Sequence, residues 1–203
     1  MAKRARASDP FRFDRALLEH EARDAAAADA RHGSGMAAGV DLRLAGADEA
    51  GRGCLAGPLV ASAVVLDYAR APFPLLKGLT DSKLLSPEAR EAMFQAVMRS
   101  ALQVTWVSCS PCTIDGQGLH RSNLSALGRA LELLGDEYRM AIVDGFDLGR
   151  PELRARALVG GDFKSAAVAA ASVVAKVVRD RLMRGLSLLY PVYGFAEHMG
   201  YGT

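Results

Sequence analysis

The sequence is poor in the features that mark specialised classes. It has three cysteines in 203 residues, Cys54, Cys109 and Cys112. An odd number of thiols builds no disulfide framework, so a reducing, cytoplasmic setting is expected. It has no apolar run of membrane-spanning length, since residues 54–66 are too few and contain Pro58. Lys3, Arg4 and Arg6 lead into no apolar signal segment, and Asp9, Asp14, Glu19 and Glu21 argue against a mitochondrial transit peptide. It also lacks a charge bias: the net charge is +2 and the pI about 8.5, so composition alone does not select nucleic acid as a partner. There are no internal repeats. What remains is a chain half hydrophobic and 24% charged, long enough to bury one real core.

The chain is organised around residues 44–65, LAGADEAGRGCLAGPLVASAVV. They read as a strand, an acid pair, a glycine turn and a second strand. Asp48 and Glu49 are adjacent carboxylates. Two such groups held near a core repel each other and call for a cation. Gly51 and Gly53 permit positive φ and close backbone approach, and Arg52 between them offers five donors suited to phosphate. A metal beside such a turn points to phosphodiester chemistry. The same stretch also fits a tight hairpin with solvated charges at its tip.

Residues 1–41 form an N-terminal extension, partly helical or disordered. Its alanine- and charge-rich part, 15–30, favours helix, but the apolar positions Phe11, Phe13, Leu17 and Leu18 fade into alanine. A weakly docked arm or solvated tail ending at Gly33-Ser34-Gly35 is expected, with the better odds on the tail. Strands are expected at 42–47 and 59–66 as an antiparallel hairpin, then at 103–108, 140–143 and ending at 158–159. Ser86 and Pro87 suit the start of a helix over 87–102. Leucines 124, 127, 131 and 134 mark a helix over 119–134, and 166–186 is a helix apolar nearly all round to Val178. Ser110-Pro111 reads as a turn. The mixture gives an α/β class: a mixed central sheet that begins with an antiparallel hairpin and is flanked by helices.

Asp144 and Asp162 share a pattern with Asp48, an acid after a hydrophobic strand and against glycine. Ligand sites gather at strand ends in open α/β sheets. If the strands are neighbours, Asp48, Glu49, Asp144 and Asp162 converge. An all-carboxylate set favours Mg²⁺ or Mn²⁺, and two such ions suit an in-line displacement at phosphorus. For each acid singly, a turn or cap role is an even alternative.

Together these residues resemble bacterial ribonuclease HII, the type 2 ribonuclease H family. The resemblance runs over about 44–203. It is most specific at 46–53, GADEAGRG, and at Leu55-Ala56-Gly57-Pro58. It continues through Asp81-Ser82-Lys83, Val143-Asp144-Gly145, Gly161-Asp162, residues 170–177 with Arg179-Asp180, Tyr193-Gly194-Phe195, His198 and Gly200-Tyr201. It implies a ribonuclease H-like fold in a catalytic domain over 42–203. It implies an endoribonuclease that hydrolyses the RNA strand of RNA–DNA hybrids and cuts 5′ to single ribonucleotides in duplex DNA. The products would carry 5′-phosphate and 3′-hydroxyl ends. Two divalent ions would be held by Asp48, Glu49, Asp144 and Asp162. The turn Gly51-Arg52-Gly53 would read the ribose 2′-hydroxyl, and Tyr201 the sugar at the RNA-to-DNA junction. The 2′-hydroxyl is the feature that separates RNA from DNA.

The departures from the family pattern are Gly160 in place of lysine, Ala169 in place of serine, and Met199 in place of a frequent lysine. Family members also continue past the Gly-Tyr motif, so the catalytic domain reads as C-terminally shortened. The main alternative is a non-catalytic hybrid-binding module weakened by that loss. A two-metal phosphohydrolase of nucleotides is a third reading. No membrane association and a monomeric state are expected. Ser172, Lys176 and Asp180 recur at i, i+4, i+8 and share a helix face, which points to a supporting role. Cys109 and Cys112 form a CxxC with no second pair, so ordinary thiols are expected.

Overall fold

The computed structural model describes residues 9–32 and 41–202, with backbone alone for 28–32. Lys3, Arg4, Arg6 and the Gly33-Ser34-Gly35 break lie outside the described residues.

Five strands form one mixed sheet: β1 (Arg43–Ala50), β2 (Leu59–Asp67), β3 (Gln103–Cys109), β4 (Met140–Asp144) and β5 (Ala155–Leu158). Their order is β3-β2-β1-β4-β5. β1 pairs antiparallel with β2, from Arg43 opposite Asp67 to Ala50 opposite Val60, and β2 pairs antiparallel with β3. β4 runs parallel to β1 and to β5. The expected opening hairpin and the α/β class therefore hold. The helices are α1 (Pro10–His32), α2 (Pro87–Ser100), α3 (Pro111–Gln117), α4 (Leu119–Glu132), α5 (Gly161–Lys164), α6 (Ala166–Leu189) and α7 (Phe195–His198).

Alternation along the strands divides the core in two. Leu44, Val64, Leu66, Met140 and Ile142 face α6 and α2, where they meet Val168, Val173, Phe94 and Val97. Ala45, Ala47, Ala63, Val65, Ala141 and Val143 face α4, where Leu127 and Leu131 cover them. The small side chains of α6 let it lie close on β1. A Cβ on Gly46 would stand 2.1 Å from the Ala167 carbonyl carbon, so only glycine fits there.

Three elements differ from the sequence reading. β1 continues to Ala50, so Asp48 and Glu49 lie within the strand, because Val60, Ala61 and Ser62 on β2 keep pairing with them. Ser110 opens α3: its hydroxyl accepts from the Thr113 N–H at 3.1 Å, with Pro111 as the first helical residue. The preference for a solvated tail does not hold over α1, where Asp14 and Leu18 are fully buried. The Asp14 carboxylate accepts from the Tyr68 hydroxyl and from the Ala167 N–H, at the start of α6. A carboxylate at a helix N-terminus answers the free N–H groups and the dipole there. Phe11, Phe13 and Leu17 pack on the core beside this anchor, and Glu21 is held by Arg139 and Arg156, contacts that the alanine-rich composition does not announce.

Candidate active site

The strand pleat sends neighbouring residues to opposite faces, and this decides where the acid pair points. Asp48 lies on the α6 side of β1, opposite Ser62, whose hydroxyl donates to the Ala171 carbonyl of α6 at 2.6 Å. Glu49 lies on the α4 side, near the buried amide of Asn123. The two carboxylates thus bracket the end of β1 from both faces of the sheet. The parallel pairing of Ala47 with Val143 puts Asp144, the last residue of β4, beside Asp48. Asp144 also accepts from the Gly161 N–H at 2.7 Å, which fixes the start of α5. Asp162 sits in the first turn of α5, just after β5, which ends at Leu158 as the spacing predicts.

All four acids therefore meet at one end of the sheet, and they feel one another. Burial pushes Asp48 well above the usual carboxylate range, with Glu49 and Asp144 adding to the rise and the Ser172 hydroxyl opposing it. Burial also raises Glu49, as does Asp144, while Asn123, Arg52 and Lys83 oppose the rise. Asp162 is raised by burial and by Asp144 and Asp81. Burial lowers Lys83, but Asp81, Asp48, Asp162 and Asp144 outweigh it, so its ammonium is held charged among the acids. No three of the four carboxylates place oxygens all within 4.8 Å of one another; the described group that does is His20, Glu21 and Asp24 on α1. The Asn123 amide lies close enough to Glu49 to lower its pKa, yet neither its atoms nor buried Oε2 of Glu49 makes a hydrogen bond of good geometry. A buried carboxylate oxygen without a donor is what a cation would satisfy.

The glycine turn follows β1 directly. Gly51 adopts φ +105°, and exposed Arg52 lays its guanidinium 4.8 Å from the Phe146 ring centre. Gly53 has open space where a side chain would be. Tyr201 comes to the same side. Its ring centre lies 5.3 Å from the Lys176 ammonium, and burial and the neighbouring Cys54 raise its hydroxyl pKa. Its turn is ordered by His198, which accepts from the Gly200 N–H at Nδ1 (3.0 Å), leaving Nε2 to donate to the Tyr193 carbonyl at 2.7 Å.

The three polar residues of α6 form one support. Ser172 lies 3.0 Å from the Ser82 hydroxyl. Lys176 donates to Asp180 at 2.7 Å, and Asp180 also faces Arg90 at 3.5 Å. Arg90 in turn donates to the carbonyls of Ser82 (2.7 Å) and Leu85 (2.8 Å). The network holds the turn that presents Lys83. Sequence reasoning missed Asn123 and Lys83 as members of the site. Asn123 had a signal, a polar residue four before Leu127 on an apolar helix stripe. Lys83 had none beyond the motif that carries it. Cys109 is half-buried and Cys112 exposed, both as free thiols.

The family model of Ribonuclease HII matches residues 45–203. The Ribonuclease HII of Azorhizobium caulinodans is 48% identical over 160 residues, covering 79% of this chain and 60% of that protein. The Ribonuclease HII of Sinorhizobium fredii is 48% identical over 162 residues, covering 79% and 68%. The chain thus spans about 60% of the length of the first of these relatives. The ribonuclease H2 of Pyrococcus horikoshii OT3 superposes with a TM-score of 0.68 at 30% identity, covering 79% of this chain and 81% of that one.

Proposed function

The chain belongs to the ribonuclease HII family, and from that premise we propose that it is a metal-dependent endoribonuclease. It hydrolyses the RNA strand of RNA–DNA hybrids and cuts 5′ to single ribonucleotides in duplex DNA, leaving 5′-phosphate and 3′-hydroxyl ends. The observation that carries the reading is the meeting of Asp48, Glu49, Asp144 and Asp162 at the end of β1, two of them on opposite faces of the strand.

The donor set fits Mg²⁺ or Mn²⁺. It is all oxygen, with a buried oxygen of Glu49 unpartnered and three carboxylates raised above their ordinary range. These four residues would hold two ions. When bound, divalent ions make water nucleophilic at neutral pH and offset charge on the leaving oxygen. The chain's own groups do the rest. Lys83 adds positive charge beside the acids and draws a phosphate toward them. The turn Gly51-Arg52-Gly53 presents main chain to the ribose, so a 2′-hydroxyl can be met by backbone where a side chain would block it. Tyr201 offers its ring to the next sugar, with Lys176 behind it. Ser172, Lys176 and Asp180 hold the acids and Lys83 in place. The reading assigns the chemistry to 42–203, acting as a monomer. Among the described residues, no helix is long and apolar enough to cross a membrane.

The test is cleavage of a DNA duplex containing one ribonucleotide, in Mg²⁺ and separately in Mn²⁺, with Asp144→Asn alongside. A cut 5′ to the ribonucleotide, reduced at least about 1,000-fold in the variant, is expected. Duplex that is bound but never cut would instead support a hybrid-binding module.

A further inference from the structure

Among the described residues, Arg179 is the largest fully buried side chain. Burying a guanidinium is costly unless its donors are met. Its neighbour Asp180 does not meet them, being engaged by Lys176 and Arg90. Instead Arg179 donates to three main-chain carbonyls: Nε to Pro58 at 2.9 Å, Nη2 to Ala56 at 3.0 Å and Nη1 to Met199 at 2.7 Å. Two of these carbonyls lie in the loop that begins with Gly51-Arg52-Gly53. The third lies in the turn that ends in Tyr201.

The same two segments are stitched together directly. The N–H groups of Leu55 and Ala56 both donate to the Gly200 carbonyl, at 2.8 and 3.2 Å. The fit is too close for any side chain. A Cβ on Gly51 would lie 2.4 Å from Nε of Arg179, and one on Gly200 would lie 2.2 Å from the Ala56 carbonyl oxygen. Met199 is held at φ +51°, a left-handed conformation that a residue with a side chain keeps only when its surroundings impose it. The guanidinium that binds its carbonyl lies 6.0 Å from the Tyr201 ring centre. Arg179 also shares a helix with Ser172, two turns or about 10 Å earlier, which lies against Asp48.

We propose that Arg179 is a positioning residue for ribose recognition: it locks the glycine turn and Tyr201 at one separation, so that a 2′-hydroxyl and the following sugar are read together. The inference rests on the reading above that these two segments contact the substrate. Arg179 is itself fully buried, so it acts through the loops. Its acceptors all lie in those loops, while α6 is held in the core by its apolar face. Removing the fork therefore loosens the loops and spares the sheet. Lysine keeps the charge but has one nitrogen on a flexible stem and cannot reach three carbonyls in a planar fork.

The test uses Asp144→Asn protein, which holds duplex uncut, with and without Arg179→Lys or Arg179→Met. Affinity is measured for a DNA duplex with one ribonucleotide and for the all-DNA duplex of the same sequence. The parent should favour the ribonucleotide by about 10-fold, the order expected of a good hydrogen bond. Arg179→Lys should bring that ratio to within about 2-fold of one, with all-DNA affinity changed less than about 2-fold; Arg179→Met should do the same. In the Asp144-intact protein, Arg179→Lys should keep the melting-temperature rise given by Mn²⁺. A ratio that survives both substitutions overturns the inference alone. So does an equal loss on both duplexes together with loss of the Mn²⁺ response, which marks general disorder. No preference in the parent overturns the 2′-hydroxyl reading, and this inference with it.

Discussion

Asp48 shows how one residue carries opposite demands. At 5% exposure, with Glu49 and Asp144 close, ionisation of its carboxyl is opposed by both burial and repulsion. That arrangement costs stability in the protein alone and becomes favourable only when a cation is shared. Asp48→Asn removes one repelling charge without changing shape. It should raise the melting temperature in chelator by about 2–4 °C, the equivalent of about 1 kcal/mol for a chain of this size, and abolish cleavage. A lower melting temperature in chelator would show that Asp48 is bound into the fold by partners that asparagine cannot replace. Ser172 works the other way. Its hydroxyl opposes the rise in the Asp48 pKa and touches Ser82, so Ser172→Ala should lower kcat more than it raises KM, by about 10-fold. An unchanged kcat would reduce Ser172 to a packing residue.

Between elements, the contact of α1 with α6 is the clearest case of chemistry that pattern reading does not reach. Asp14 is pushed up to about 6 by burial, against hydrogen bonds from Tyr68 and Ala167, from an ordinary value of 3.8. A carboxyl raised on folding contributes most below its unfolded value, and that contribution is lost as pH rises through about 6. The gap corresponds to about 3 kcal/mol. Unfolding by denaturant at pH 4 and pH 7 should therefore show the parent losing about 2 kcal/mol relative to Asp14→Asn across that interval, since at pH 4 the unfolded carboxyl is already partly ionised. Parallel losses in the two proteins would place the Asp14 titration elsewhere. The elements with strong periodicity were legible: α2, α4, α6 and the β1–β2 hairpin fall within a few residues of where apolar spacing puts them. Those set by one tertiary bond were not. The helical composition of 15–30 is legible, but the docking of α1 depends on Asp14 reaching α6, α3 on a Ser110 cap, and the extra length of β1 on its pairing with β2. At the site the four acids were legible because each stands in a motif. Asn123 and the role of Arg179 were not, since their partners are carbonyls and carboxylates distant in sequence.

At the scale of the whole molecule, charge is distributed so that one end of the sheet is unfinished. The net charge is +2, yet Asp48, Glu49, Asp144, Asp162 and Asp81 are concentrated around Lys83. On the proposed reading a polyanionic duplex is repelled by such an end until its charge is reduced, by bound ions or in part by Asp144→Asn, so ion binding and substrate binding would be coupled through the same carboxylates. A ligand that binds the folded state alone stabilises it by about 2.7 kcal/mol at 100 times its Kd. For a chain of this size that raises the melting temperature by about 5–10 °C. Titrating Mg²⁺ or Mn²⁺ should produce this rise in the parent and should fail to do so in Asp144→Asn. The His20, Glu21 and Asp24 group on α1, with Glu21 half-buried, is left intact in that variant, so a rise of equal size in both proteins would move the ion to α1 and take the metal away from the sheet end. A rise in the parent alone would tie the ion to the four acids, and would do so without any measurement of cleavage.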